Sequence, residues 1–218
     1  HPVTPDKLPA TLVLALAAMV LTLLVALPLG IVAAVKKGSL ADRSAMLASL
    51  VGISMPNFWL GPLLIILFSL KLGWLPVSGR EGAASVILPA VTLGTALAAL
   101  LSRMTRSAML DVLGEDYLMT ARAKGLPERA VIVRHALRNA LLPVLTIVGL
   151  QLGALLSGAV ITEIVFAWPG IGSLLIQSIH TREYPLVQGC VLVIALGYVA
   201  ANFSHDLLSA AADPRVKI

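Results

Sequence analysis

Bond-making chemistry needs nucleophiles, acids or metal ligands at set spacings, and this chain offers few. Its histidines, His1, His135, His180 and His205, are scattered, so no His-Glu-x-x-His metal pattern forms. No Gly-x-Ser-x-Gly elbow presents a serine nucleophile. No Gly-x-x-x-x-Gly-Lys-Ser/Thr loop is present to cradle a nucleotide phosphate. The single cysteine, Cys190, lies in an apolar run and leaves no disulfide framework. The sequence therefore predicts no catalytic residue, no metal site and no cofactor bound by this chain. What stands out is suited to recognition instead: the charged island from Asp116 to Arg129, set between two long apolar runs.

The island carries its own start and stop signals. Gly114-Glu115-Asp116 precedes the helix-forming stretch Tyr117 to Lys124. Acids suit the positive end of a helix dipole, and Asp116 is the expected N-cap. Gly125 is the expected C-terminal stop. Pro127 suits the first position of a second helix, with Glu128 beside it, running on toward Asn139. Thr120, Ala121 and Ala123 make the first helix slim enough to enter a groove on a partner. Arg122 and Lys124 are then placed to meet acidic groups at its rim. A solvated basic loop, kept for topology alone, is the other reading that these residues allow.

The elements that must position this island are membrane helices. The chain is 58% hydrophobic and 12% charged, with a mean hydropathy of +0.95. Soluble domains are roughly a quarter charged, so this composition argues against a soluble fold. A bilayer core about 30 Å thick needs roughly 20 apolar residues of helix. Five uncharged runs meet that length: Ala10 to Val35, Ser44 to Leu70, Ala83 to Ser102, Ala140 to Thr162, and Pro185 to Ser204. No strand-like alternation is visible, which argues against a β-barrel. The expected fold is all-α, a polytopic bundle of five transmembrane helices.

Charge sets the orientation. Lys36, Lys37 and Arg43 follow the first run, and Arg103, Arg106, Arg122, Lys124, Arg129, Arg134 and Arg138 lie between the third and fourth. Arg215 and Lys217 follow the fifth. If the chain weaves alternately, all of these fall on one side, leaving Lys7, Lys71, Arg80 and Arg182 on the other. The positive-inside rule then puts the island in the cytoplasm and residue 1 outside. The net charge of +5 is a topology signal, since the basic residues are not interleaved with aromatics as in a nucleic-acid binder.

Several runs are interrupted. Pro28 and Gly30 fall late in the first; Ser54-Met55-Pro56-Asn57 breaks the second. Proline removes a backbone donor, and in lipid the freed groups need partners. That break either lines a pathway or is a packing kink. Gly149-Leu150-Gln151-Leu152-Gly153, then Ser157 and Gly158, give the fourth run a small-residue face for close helix packing. Gln151 is the polar group that needs a partner at depth. Asn57 and Gln151 are thus the candidate pathway residues. Beyond the fourth run, Phe166-Ala167-Trp168-Pro169-Gly170-Ile171-Gly172 stops the helix, and Ser173 to Ile179 reads as a short external helix. Trp168 suits a membrane interface. Trp168, Pro169 and Gly170 either gate an outward opening or simply anchor the chain there. Glu163 and Asp206 only border the runs, so ionisable relays of the ion-coupled transporter kind are not evident. An ion-coupled secondary transporter remains the alternative reading.

The stretch from Tyr117 through Pro143, with Thr-Ala-Arg-Ala-Lys-Gly at its centre, resembles binding-protein-dependent ABC importer permeases of the dipeptide/oligopeptide/nickel branch. That family's loop carries Glu-Ala-Ala, then a glycine four residues on; Met119, Thr120, Ala121 and Gly125 are the matching positions, without the acid. Leu72-Gly73-Trp74-Leu75-Pro76-Val77-Ser78-Gly79, Phe166 to Gly172, Glu183 to Gly189 and Asp213-Pro214-Arg215 are similar to the same branch. The resemblance runs from about Leu8 to the end. It implies a type I ABC importer transmembrane domain over 8–212, an external segment 1–7 and a cytoplasmic tail 213–218. Members usually begin with one more helix, so it also implies the C-terminal two-thirds of a six-helix subunit in the inner membrane. Tyr117, Thr120, Ala121, Arg122, Ala123, Lys124 and Gly125 would form a coupling helix seated in a cytoplasmic ATPase. The implied partners are two ATPase subunits that bind ATP and Mg, a homologous second permease, an external solute-binding protein and membrane lipid. The implied cargo is a dipeptide, an oligopeptide, glutathione or a nickel chelate.

Overall fold

The computed structural model describes residues 6–212, without the side chains of 156–158, 205, 206 and 208–212. The tail with Arg215 and Lys217, residues 1–5, and the side chains of Ser157, Gly158, His205 and Asp206 therefore lie outside the described residues. Helix α1 spans Lys7–Val35 and α4 spans Ile87–Leu113. They pack on each other along most of their length, and the sequence shows why. Ala10, Leu14, Ala18, Thr22, Ala26 and Gly30 recur at helical spacing and are buried, while Leu16, Val20 and Leu24 on the other side are exposed. Small residues let the two backbones approach closely. A Cβ on Gly94 would sit 3.1 Å from the Ala18 carbonyl oxygen, and one on Gly30 would sit 2.7 Å from that of Ser102. Thr22 Oγ1 donates to the Gly94 carbonyl across this seam at 3.2 Å.

Helix α7, Leu137–Val165, closes the core by packing Val144, Leu155 and Ala159 against α1 and α4. Helix α9, Tyr184–Ala212, lies outside it, and its Tyr198 lies over Gly153 of α7, where a Cβ would come within 2.9 Å of the ring. Helix α8, Ile171–His180, has 10 residues and is too short to cross a bilayer, matching the short helix expected there.

The second run does not cross as one straight span. It divides into α2, Leu40–Ser54, and α3, Asn57–Leu64, which continues as a π-helical turn over Ile65–Lys71. The two halves are bent by 105° at Met55-Pro56. Among the described residues four helices are long and apolar enough to cross, and the bent pair brings the number to five if it is one span. Proline at 56 sets the extended backbone there, and α3 then folds across the end of α7. Gly61 permits that contact, since a Cβ would stand 2.9 Å from Val165 Cγ1. Helix α2 also begins earlier than the uncharged run suggests. Ser39 caps it by accepting the Asp42 amide at 3.3 Å.

Asp42 exposes an arrangement that counting basic residues cannot reveal. Its carboxylate is buried and takes Arg106 in a two-pronged pair, 2.6 Å to Nε and 2.8 Å to Nη2. The Gly38 amide donates to the same carboxylate at 2.9 Å. Arg106 is thus a strut between α4 and the α1–α2 turn, in addition to being one of the charges that orient the chain.

The α1–α4 seam yields a stability prediction. Gly30→Val places a branched side chain against the Ser102 backbone, which no rotamer change relieves. The expected cost is about 1–3 kcal/mol of overpacking, read as a lower melting temperature in detergent. Gly189→Ala, inside α9 where an added Cβ meets nothing within 4 Å, should not lower the melting temperature, since alanine favours a helix over glycine.

Candidate functional site

Helix α5, Asp116–Ala123, lies at the end of the bundle that collects the lysines and arginines. Its N-cap is Glu115, in extended conformation and without a side-chain cap bond, so Asp116 is the first helical residue rather than the cap expected from sequence. Leu118 and Ala121 are buried in a cluster with Ala34, Met109, Val131, Ala136 and Ala140. Tyr117, Met119, Thr120, Arg122, Ala123 and Lys124 face outward. Ala121 therefore seats α5 on its own bundle and is not part of the presented face. Its small side chain is what allows that close seat.

The turn after α5 closes as a Schellman motif. The Leu126 amide donates to the Ala121 carbonyl at 3.4 Å and the Gly125 amide to that of Arg122 at 2.9 Å. Gly125 adopts φ +79°, the left-handed conformation that only glycine takes without strain. Pro127, expected as the first helical residue, is the cap of the next helix; Glu128–Ala130 forms α6, which runs through a π-helical turn at Val131–Ala136 into α7.

Polar contacts hold α5 to the foot of α7. Asn139 Nδ2 donates to the Tyr117 hydroxyl at 2.7 Å and to the His135 carbonyl at 3.1 Å. Asn139 escaped the sequence reading because it is 22 residues from Tyr117. Arg122 does not extend freely toward a partner as expected. Its guanidinium is paired with Glu128, at 3.1 Å from Nε and 2.9 Å from Nη2, and this raises its already high pKa. Both side chains are exposed, so the pair shapes the loop more than it stabilises it. Thr120 Oγ1 is likewise committed, donating to the Asp116 carbonyl at 3.2 Å. What α5 presents is a slim face of Tyr117, Met119, Ala123 and Lys124, rigid at both ends.

The other candidate residues lie apart. Asn57 opens α3 at the 105° bend and is half-buried. Gln151 is 5% exposed, on the face of α7 that carries Val144 and Leu155 into the core, so it looks inward and not toward lipid. Neither of its amide atoms has a hydrogen-bond partner among the described residues. No hydrogen bond links it to Asn57.

Trp168 corrects a sequence expectation outright. It is 2% exposed, not an interfacial anchor, and its indole Nε1 donates to the Ala10 carbonyl at 2.9 Å. The Arg80 guanidinium lies 5.9 Å from the ring centre, and the Gly79 amide donates to Phe166 at 2.9 Å, so the loop before α4 covers this turn. Pro169 is half-buried and Gly170 is buried. A Cβ on Gly170 would overlap the Glu163 carboxylate. Glu163 itself, expected only to border a span, is completely buried. No signal in the sequence distinguishes it from a residue at the membrane edge.

Residues 26–218 match the family described as "Binding-protein-dependent transport system inner membrane component". The chain is 48% identical to the di/tripeptide transport system permease protein DppB of Pseudomonas aeruginosa (strain UCBPP-PA14), over 96% of this chain and 70% of that one. It is 45% identical to the glutathione transport system permease protein GsiC of Escherichia coli (strain K12), over 95% of this chain and 68% of that one. Among solved structures it is similar to a chain of the MetNI methionine ABC transporter in an inward-facing conformation. That likeness has a TM-score of 0.79 at 18% identity, covering 94% and 93% of the two chains, and it shows the shared fold. The expected type I ABC importer transmembrane fold is the one observed. A helical bundle with this basic end and this extent of identity makes the chain a member of the binding-protein-dependent transport system inner membrane component family.

Proposed function

We propose that this chain is one permease subunit of an ATP-driven importer for dipeptides, oligopeptides or glutathione. The observation that carries the reading is its identity of 45–48% to peptide and glutathione permeases along nearly its whole length. In this reading 8–212 is the transport domain, flanked by an external segment 1–7 and a cytoplasmic tail 213–218. The chain is not itself an enzyme, and two cytoplasmic ATPase subunits supply the nucleotide chemistry. A homologous second permease completes the pathway, and an external binding protein delivers the solute.

Helix α5 is the docking element for an ATPase subunit. Tyr117, Met119, Ala123 and Lys124 form the face that enters its groove, with Thr120 bonded back to the Asp116 carbonyl beside it. Arg122, through Glu128, and Gly125 fix the turn behind that face. Leu118 and Ala121 pass its movement into the bundle. Asn57 at the bend and Gln151 inside the bundle are proposed to meet solute or its water during passage, because both are polar groups held at depth. Trp168, Pro169 and Gly170 hold α8 beside the external opening. Buried Glu163 gives the ion-coupled alternative no support, because hydroxyl and backbone donors already occupy both of its oxygens.

The test is uptake by proteoliposomes holding the chain with its second permease and ATPase subunits, supplied with the external binding protein. ATP-dependent entry of labelled di- and tripeptides or of glutathione is expected; entry that persists without the ATPase subunits would refute the reading. Gly125→Val should cut uptake by on the order of tenfold without loss of membrane insertion, since a Cβ in the left-handed region costs ~1–2 kcal/mol. Gly125→Asn, which tolerates that conformation, should keep most of the uptake. Equal uptake by the Val and Asn variants would remove the turn from the coupling mechanism.

A further inference from the structure

We infer that Glu163 is a positioning residue: it fastens α8 to the far end of α7, so that movement received by α5 at one end of the bundle reaches α8 at the other. The inference rests on the importer reading above and adds a transmission path to it.

The first turn of a helix has free amides that need acceptors. In α8 none comes from a side chain of its own cap, which is Gly170. The Ile171 amide donates to Thr11 Oγ1 of α1 at 2.9 Å, and the Ser173 amide to Glu163 Oε2 of α7 at 2.9 Å. Thr11 Oγ1 in turn donates to Glu163 Oε1 at 2.6 Å, which closes the network. Two amides at the start of α8 are therefore capped by side chains of two other helices. The carboxylate also meets the positive end of the α8 dipole.

This arrangement resists sliding. Glu163 has no exposed surface, and a buried carboxylate stripped of its donors is strongly disfavoured. Gly170 and Gly172 let the backbone of α8 close over it. A Cβ on Gly172 would lie 2.7 Å from the Val160 Cα, so any side chain there would force the helices apart. Trp168, bonded to Ala10, locks the intervening turn. Helix α8 thus moves with α7 and with the start of α1, or the clamp breaks.

At its other end α7 is joined just as firmly to α5. Asn139 bonds Tyr117, and Leu118 and Ala121 share a buried cluster with Val131, Ala136 and Ala140. Helix α7 has 29 residues, about 43 Å at 1.5 Å per residue, which spans the bilayer. A rod clamped at both ends carries displacement from one to the other. Severing the Glu163 end should leave α5 seated and nucleotide hydrolysis running, while α8 no longer follows.

The test uses the complete complex in lipid nanodiscs with solute-loaded binding protein. Assembly, basal ATP hydrolysis and hydrolysis stimulated by the binding protein are measured for Glu163→Gln, Thr11→Val and Thr11→Ser. Glu163→Gln and Thr11→Val are expected to assemble with basal hydrolysis near wild type. Their stimulation should fall on the order of tenfold, the factor expected for a buried hydrogen bond left unmade. Thr11→Ser keeps the hydroxyl and should keep the stimulation. A clamp that only stabilised the fold would lower assembly and basal hydrolysis together in Thr11→Val, and that result overturns the inference. So does wild-type stimulation in Thr11→Val, which decides the matter alone if Glu163→Gln fails to assemble. Absence of stimulation in the wild-type complex would instead overturn the importer reading.

Discussion

In lipid, burying an apolar side chain against another helix gains little, because the alternative surroundings are equally apolar. What holds this bundle is the close approach of α1 and α4. It depends on alanine, threonine and glycine recurring along one face of each helix. Gly30 and Gly94 bring backbone to within a side chain's width of backbone, and Thr22 bonds across the gap. The rest of the molecule is arranged around that seam: α7 closes it, α9 lies behind α7, and α2 and α3 wrap its outer side. Many large side chains, Leu16, Val20 and Leu24 among them, point outward, where lipid suits them, while Leu14, Leu101 and Leu155 fill the core.

Close packing fixes separation but resists sliding only weakly, and the polar ties at the two ends supply that resistance. At the basic end the Asp42 carboxylate pins Arg106 of α4 to the turn between α1 and α2. At the opposite end Glu163 gathers α1 and α8 onto α7. Each carboxylate is saturated by directional donors, so each tie specifies one register. The helix between Asn139 and Glu163 is consequently held at both ends, while the bend at Met55-Pro56 stands outside this framework. The second span is interrupted at Met55-Pro56, whereas the fourth is tied near both of its ends.

Much of this was legible in the sequence wherever the cause is local. Long uncharged runs announce membrane helices because about 20 consecutive residues must all avoid charge. Gly125 announces its turn because the left-handed conformation is a property of one residue. Pro56 likewise marks the break, although not its 105° angle, which is set by what α3 packs against. Cap positions slipped by one residue at Asp116 and Pro127, since several neighbouring residues there can serve. The long-range ties were not legible. Thr11 and Glu163 are 152 residues apart, and Asp42 and Arg106 are 64 apart. Trp168 misled for a related reason. An indole with one polar atom satisfies a membrane interface and a protein interior equally, and only the Ala10 carbonyl decides between them.

The candidate docking helix shows why local and distant causes must be read together. Its sequence explains a short helix ending at a glycine, yet an isolated helix of 8 residues would be marginal in water. It persists because Leu118 and Ala121 are buried in the bundle and Tyr117 is bonded to Asn139. The same contacts that give it stability remove its freedom to move alone. A rigid, exposed element fixed to a transmembrane rod can receive force without absorbing it. A flexible loop of identical composition could bind a partner equally well but would lose that displacement in its own motion. In the proposed docking role, the burial of Leu118 would matter as much as the residues exposed on the other side.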